Sequence, residues 1–451
     1  MDNGIASIER SKTWELSELP KGQKTIGVKW AKLTDIRRDW LQRDTSTNLE
    51  LITKEVFAPI ARQDTIRLVV ALAAQNSWSI FQLDVFIDQP LGYIKVGNEH
   101  KTLYYLKQAP RAWYSRIDAY FLRKGFSECP YEHTFFVRFE VDGKMLIVCL
   151  YVDDLIYTGD NMEIIEQFKN SMMSEFDMSN LGLMHYFLGI EVVQFDAGIF
   201  ISQKRYVQDI LTRFRMQDCN PVCTLAETSL KLVKDLDSKN INNILYKQIV
   251  GSLMYVTTTR PDIILVISLI SRFMENPTEM HLTYLQGTTD YGIFYKEGEK
   301  SNLIGFTDND YAGDQDDRKS TSGYVFMMGS KAISWSSRKQ PIVTLSTTEA
   351  EFVAATSCAS KAIWLRNVLK ELHFSQEGST PIYCDNNSTI KLSKIQFCMV
   401  EASILMFGFI SYAISPRRKL LILFTAEARN KLLICSQSPS NLMHFRSSEN
   451  Y

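Results

Sequence analysis

Carboxylates at strand ends are the side chains of this sequence best suited to chemistry. Asp84 closes the run Ser79-Ile80-Phe81-Gln82-Leu83-Asp84, Asp153 and Asp154 stand together inside MLIVCLYVDDLIYT, and Asp308, Glu351 and Asp385 are spread through a later segment. Two like charges side by side between apolar runs are costly, because each raises the free energy of ionising the other. A bound divalent cation reverses that cost and takes oxygen ligands. Two such ions held by carboxylates from neighbouring strands suit phosphoryl transfer, one at the attacking oxygen and one at the leaving group. Each residue also fits a plainer role. Asp84 can simply end a strand, Asp153-Asp154 can be a solvated turn, and Asp308, Asp310, Asp314, Asp316 and Asp317 can form an acidic loop.

The elements that must position these groups follow from periodicity. After a helix over Arg67 to Gln75, a period of two puts Phe81, Leu83 and Val85 on one side of a strand and Gln82 and Asp84 on the other. Apolar runs on both sides of Asp153-Asp154 indicate a tight hairpin. Asp84 and Asp153 are 69 residues apart, so both strands must return to one sheet. Further on, Asn302 to Asp308 is a strand, and Tyr324 to Met328 with Ala332 to Ser336 make a hairpin around Gly329-Ser330. A helix over Thr348 to His373 puts Glu351 on the face of Ala355, Cys358, Ala362, Leu365 and Leu369. Glu349 points about 200° away, at about 100° per residue, so Glu351 is the ligand candidate. Asp385 follows the strand Pro381 to Cys384, with Asn386 or Asn387 capping the next helix.

The 451 residues suffice for two to four domains. Hydrophobic residues at 45% and charged residues at 22% exclude wholesale disorder and a collagen-like repeat. With 50 Lys plus Arg against 51 Asp plus Glu, nucleic acid would have to be held in a local groove rather than by bulk charge. The eight cysteines show no disulfide framework, and Cys219 and Cys223 lack a second pair for zinc. The polar start, Met1 to Pro20, does not read as a signal peptide. The longest apolar stretch, Ile404 to Ile414, is short of the roughly 20 residues a spanning helix needs.

Three textures succeed one another: mixed α/β from Thr13 to about Val222, mostly helical from Leu225 to Lys300, with helices over Tyr246 to Thr258 and Pro261 to Met274, and mixed α/β again from Asn302 to Lys394. The tail from 395 to 451 has no clear period. The ordered motifs TWELSELPKG, VFAPIARQDTIRLVVALAA, QLDV, LKQAPRAWY, YVDD, YFLGIEV, VGSLMYVTTTRPDI, FTDNDYAGD, STTEAEFVAA and YCDNNSTI resemble the reverse transcriptase and ribonuclease H part of a copia-type retrotransposon Pol polyprotein. The resemblance covers Thr13 to Lys394. It implies an α+β fold: right-hand polymerase fingers and palm over 13–222, a helical thumb or connection over 225–300, and an incomplete ribonuclease H-like mixed-sheet domain over 302–394, with 395–451 an aberrant tail.

The resemblance assigns roles residue by residue. Asp84, Asp153 and Asp154 match the polymerase metal-binding and catalytic acids, with the Val85 carbonyl beside Asp84. Lys107, Gln108 and Arg111 match the nucleotide and template site, and Leu188, Gly189 and Ile190 the grip on the primer end. Asp308, Glu351 and Asp385 match the metal-binding acids of ribonuclease H. The implied cofactor is Mg²⁺, with Mn²⁺ as the other candidate. The implied partners are an RNA template, a DNA primer, an RNA–DNA hybrid, deoxynucleoside triphosphates, and other Pol and capsid products, in a cytoplasmic virus-like particle or the nucleus, with no membrane.

The sequence also departs from the family pattern. A basic strand pair between Ala31 and Lys54 is not recognisable, Val85 runs directly into FIDQPLGY, Tyr105 enters LKQAPRAWY early, and His281 reaches TYLQGTTDYG early. The fourth carboxylate of the ribonuclease H site is missing where the chain turns into IQFCMVEASILMFGF. A degenerate, fragmentary copy is therefore expected, with the tail packing poorly. A remnant that binds nucleic acid without catalysis is the alternative.

Overall fold

The computed structural model describes residues 15–18, 61–84, 101–104, 110–152, 154–176, 178–216, 242–275, 277, 291–298, 302–394, 421–425 and 443–444. They belong to two compact units, Met1–Ile66 with Trp78–Met184, and Arg67–Ser77 with His185–Tyr451. The helix α1 (Gln63–Gln75) runs through the division.

In the first unit, β1 (Ile80–Asp84), β2 (Ser127–Cys129), β3 (Glu132–Phe139), β4 (Met145–Tyr151), β5 (Asp154–Gly159) and β6 (Ser179–Leu183) form an antiparallel sheet in the order β2-β3-β4-β5-β1-β6. The helices α2 (Pro110–Arg123) and α3 (Met162–Phe176) carry apolar residues three and four apart, the spacing that makes one stripe. Ile117 and Phe121 of α2, with Ile165, Phe168 and Met172 of α3, share one core with Leu146, Val148, Leu155 and Tyr157 of the sheet. Asn161 starts α3 by accepting from the backbone N–H groups of Glu163 and Ile164. Burial of this cluster from water is the main stabilising term, since each large apolar side chain contributes about 1.5–3 kcal/mol.

In the second unit, β7 (Tyr186–Phe187), β8 (Ile190–Phe195), β9 (Gly198–Ser202) and β10 (Tyr291–Lys296) are consecutive antiparallel neighbours, with Met443–His444 on the β10 edge. The helices α4 (Lys204–Arg213) and α5 (Asn243–Val256) bury Ile210, Tyr246, Ile249 and Val250 together. The single helix expected over Pro261 to Met274 is instead a 3₁₀ turn at Pro261–Ile263, α6 (Ile264–Ile270) and a second 3₁₀ turn at Ser271–Phe273. Arg260 ends the preceding stretch: its guanidinium grips the Asp262 carboxylate at 2.6 Å and lies over the Tyr291 ring at 5.1 Å. The TTTRPDI segment is thus a fixed corner.

The second unit also contains β11 (Leu303–Asp310), β12 (Thr321–Met328), β13 (Lys331–Lys339), β14 (Thr380–Cys384) and β15 (Leu421–Thr425), in the order β13-β12-β11-β14-β15. The β13-β12-β11 pairs are antiparallel, while β11-β14 and β14-β15 are parallel. The long helix α7 (Thr347–Glu371) makes the crossover from β13 to β14 and buries Glu351, Ala355, Cys358, Ala362, Leu365 and Leu369, the face expected from helical spacing. The expectation for the tail needs correction at one place: Leu421–Thr425 pairs residue for residue with Thr380–Cys384 as the edge strand of this sheet. The rest of the early tail, Ile404 to Ile414 included, lies outside the described residues. Among the described residues, no helix is long and apolar enough to cross a membrane.

Arg67 of α1 is buried in the second unit. Its Nε donates to the Ile333 carbonyl and its Nη1 to the Thr258 carbonyl, both at 2.9 Å, while the guanidinium sits 3.9 Å over the Trp335 ring. Trp335 Nε1 in turn donates to the Thr257 carbonyl at 3.0 Å. A buried cation is tolerated here because its donors meet carbonyls and its face meets a ring.

Candidate active sites

The first site lies at the end of β1. Leu83 faces Leu155 in the β1–β5 register, and the next step of that register sets Asp84 opposite Asp154. Asp84 is 2% exposed and Asp154 4%. The polar face expected for Gln82 and Asp84 is thus polar but buried. Tyr151 pairs with Asp154, so only two residues turn the β4–β5 hairpin, and Val152 takes a positive φ of 51°. A two-residue turn matching the strand twist requires such angles, and a β-branched residue there carries strain. Asp153, Val85, Lys107 and Gln108 lie outside the described residues. Arg111 is placed on α2, and its side chain is outside the described set. Tyr114 of the same helix packs against the core and donates its hydroxyl to the His133 carbonyl at 2.7 Å.

Two buried carboxylates in facing register, of like charge, fit a divalent cation: a hard ion takes carboxylate oxygens as ligands and offsets their repulsion. The donor set at this site is therefore chemically suited to the implied metal.

The Leu188-Gly189 pair forms the two-residue turn between β7 and β8, with φ of 48° and 71°. Ile190 begins β8 and is buried. Tyr255 of α5 donates its hydroxyl to the Leu188 carbonyl, and its backbone carbonyl accepts from Gln203 Nε2 at 3.3 Å. The turn is therefore held by a helix far along the chain.

The other carboxylate site is built on the mixed sheet. The β11–β14 register pairs Phe306 with Tyr383, and Asp308 and Asp385 each stand two residues further along their segments. Glu351 reaches the same place from the start of α7, where it is 6% exposed. The Glu351 carboxyl is pushed up to about 8, first by burial and then by the charges of Asp308 and Asp385. The Cys384 thiol adds a hydrogen bond to Glu351 Oε2 at 3.9 Å. Ligand atoms of Glu351, Cys384 and Asp385 lie within 4.8 Å of one another. A divalent ion bound here would offset the mutual repulsion of these acids, so the donor set is chemically compatible with one.

Several residues hold this arrangement that periodicity did not single out. Gln340 is buried, and its Nε2 reaches Asn309 Oδ1 at 3.1 Å, Ser322 Oγ at 2.8 Å and the Ala350 carbonyl at 2.9 Å. It thereby ties the strand of Asp308 to the turn that presents Glu351. Ser346 caps α7 by accepting from Glu349 N–H, and Glu349 Oε2 accepts from Leu345 N–H at 2.7 Å. The S-T-T-E spacing is that of a capping box, with the glutamate's return bond made to Leu345, one residue before the cap. Glu349 is consumed by the cap, which leaves Glu351 for the site. Asn386, of the two candidate caps, accepts from Thr389 N–H at 3.0 Å to start α8 (Asn387–Lys394).

The acidic loop after Asp308 has a separate structural task. Asp314 accepts from Lys339 at 2.7 Å and Arg272 at 3.2 Å, and from the backbone N–H groups of Asp316 and Asp317. Burial works against its charge, but these donors outweigh it and hold the carboxyl down at about 2.

Residues 11–228 match the family model described as reverse transcriptase (RNA-dependent DNA polymerase). The chain is 35% identical over 445 residues to the retrovirus-related Pol polyprotein from transposon TNT 1-94 of Nicotiana tabacum, covering 87% of this chain and 33% of that protein. It is 35% identical over 411 residues to the Pol polyprotein from transposon RE1 of Arabidopsis thaliana, covering 83% of this chain and 28% of that protein. The chain thus spans about a third of these relatives. A foamy viral protease-reverse transcriptase structure, in complex with RNA/DNA hybrid, aligns with a TM-score of 0.40 and 14% identity over 78% of this chain and 44% of that one. With its motifs in family order and its relatives matched across both units, the chain belongs to the reverse transcriptase family of copia-type retrotransposon Pol polyproteins.

Proposed function

We propose that this chain is an RNA-directed DNA polymerase with an appended ribonuclease H-like domain, in a degenerate copy whose turnover is reduced. The observation that carries this reading is that buried Asp84 ends β1 and buried Asp154 opens its antiparallel neighbour β5, each one step past the Leu83–Leu155 pair. Mg²⁺ is the proposed cofactor, with Mn²⁺ as a substitute, and Asp84 and Asp154, with Asp153, would hold it. When bound, two such ions would activate a primer 3′-hydroxyl and neutralise the departing pyrophosphate. The protein's own part is positioning. The sheet of the first unit fixes the Asp84 and Asp154 carboxylates, and the Leu188-Gly189 turn of the second unit, clamped by Tyr255, is assigned separately to contact with the primer strand. The proposed partners are an RNA template with a DNA primer, the hybrid they form, deoxynucleoside triphosphates, and other products of the element. The proposed location is a cytoplasmic virus-like particle or the nucleus.

Asp308, Glu351 and Asp385 keep three acids of the second activity, cleavage of RNA in a hybrid, but no fourth acid is recognisable in sequence, so that cleavage is expected at background. The missing basic strand pair between Ala31 and Lys54 favours a second reading, a nucleic-acid-binding remnant without catalysis. Primer extension on an RNA template, run with template-primer binding in the same buffer, separates the two. Extension lost in Asp154→Asn supports the polymerase, whereas binding with no extension by either protein supports the remnant.

A further inference from the structure

We infer that Cys384 is a metal ligand, and that with Glu351 and Asp385 it makes the ribonuclease H-like site a binding site for thiophilic divalent ions such as Zn²⁺ and Cd²⁺. The three donor atoms lie within 4.8 Å of one another, drawn from the end of β14 and the first turns of α7. The sulfur stands 3.9 Å from Glu351 Oε2. Two ligands of a tetrahedral zinc ion, one thiolate and one carboxylate, are about 3.5 Å apart, given bonds of about 2.3 and 2.0 Å. A displacement of a few tenths of an ångström therefore brings the Cys384–Glu351 pair to that spacing.

The placement is directional. Thr380, Ile382 and Cys384 are the buried residues of β14, whereas Asp385, just past the strand end, is exposed. An ion arriving from solvent meets Asp385 first, then Glu351, and finds sulfur at the floor. A site meant for Mg²⁺ alone uses oxygen donors, and a thiol adds nothing to it. Sulfur raises affinity for softer ions instead. On binding, the Cys384 S–H bond and the O–H bond of any protonated Glu351 break, the protons go to solvent, and lone pairs of the sulfur and the carboxylates form the bonds to the ion. Because Glu351 and Asp385 are shared, a thiophilic ion and Mg²⁺ exclude one another.

The inference rests on the reading of Glu351 and Asp385 as cation ligands, not on hybrid cleavage. The test is titration of the reduced, full-length chain with Cd²⁺, following the ultraviolet thiolate-to-cadmium charge-transfer band. Wild type and Cys358→Ser, a buried cysteine outside the cluster, should show a band that saturates at one equivalent and recedes in excess Mg²⁺. Cys384→Ser should lose it. The same band in Cys384→Ser, or no saturable band in wild type, overturns the inference. If Cys384→Ser does not fold, Glu351→Gln and Asp385→Asn keep the thiol and should lose the saturable phase; its persistence in both also overturns it. Mn²⁺ binding, read by water-proton relaxation as the part lost in Glu351→Gln within an Asp84→Asn background, separates the two layers. Mn²⁺ bound with no Cd²⁺ band removes the thiol ligand and leaves the carboxylate site standing. Neither ion bound removes both.

Discussion

Tyr255 donates its hydroxyl to the Leu188 carbonyl and lays its ring against Gly189, where an added Cβ would stand 3.0 Å from Cε1. The turn assigned to the primer end is thus shaped by a residue 67 positions away. Tyr255→Phe keeps the ring and removes one hydrogen bond, so a loss of about 1 kcal/mol is expected. Gly189→Ala adds the clash and a left-handed backbone cost of about 1–2 kcal/mol, and should be the worse of the two. Urea denaturation measures both. Equal midpoints for Tyr255→Phe and wild type would remove the clamp.

Divalent ions should stabilise the folded chain through the facing Asp84 and Asp154. An ion that binds only the folded state, at a concentration 100 times its dissociation constant, contributes about 2.7 kcal/mol. Asp84→Asn keeps the shape and removes one charge. Its Tm without metal should equal or exceed that of wild type, because repulsion is relieved, while the Mg²⁺-dependent rise should shrink. Thermal melts with and without Mg²⁺ decide. An equal rise in both proteins would mean that the ion binds elsewhere.

The two raised and lowered carboxylates give opposite pH responses. Glu351 is pushed up to about 8 from an ordinary 4.5, so the ion-free folded state holds a proton that the unfolded chain releases. Stability from this group is complete below about 4.5 and declines as pH rises toward about 8, with a slope of at most about 1.4 kcal/mol per pH unit. Glu351→Gln should flatten that decline. Asp314, held at about 2, contributes above its ordinary 3.8 and is lost as pH falls through that window. Denaturation midpoints across about pH 2 to 9, without divalent ions, test both signs; a Glu351→Gln profile as steep as wild type above about 4.5 would contradict the first.

Sequence pattern revealed the strand of Asp84, the hairpin of Asp154 and the α7 face of Glu351, because alternation and helical spacing are local properties. It also put Glu349 off that face, and the S-T-T-E cap explains what Glu349 does instead. Long-range pairings were beyond it. Nothing near Gln340 announces that one amide will join Asn309, Ser322 and Ala350. Arg67 looks like any helical arginine until Trp335 comes beneath it. Leu421–Thr425 was hidden for another reason: a five-residue edge strand inside an apolar and basic stretch has no period to distinguish it. The thiol of Cys384 became relevant only when α7 brought Glu351 to it.

Cleavage of an RNA–DNA hybrid should be close to background. Asp308, Glu351 and Asp385 can hold one hard cation, whereas a two-ion reaction must also stabilise the leaving oxygen. The added strand β15 completes the sheet but does not by itself supply a carboxylate. RNA release from a labelled hybrid should therefore match that of Asp308→Asn. Release well above that variant would show that a fourth ligand is present.

Single-nucleotide incorporation on an RNA template, at enzyme excess over primer, tests the polymerase reading most directly. Wild type should add the templated deoxynucleotide slowly in Mg²⁺. Asp84→Asn, binding the same template-primer with unchanged affinity, should add none. Incorporation at the same rate by Asp84→Asn, or no incorporation by wild type while it binds template-primer, would contradict a catalytic site at Asp84 and Asp154.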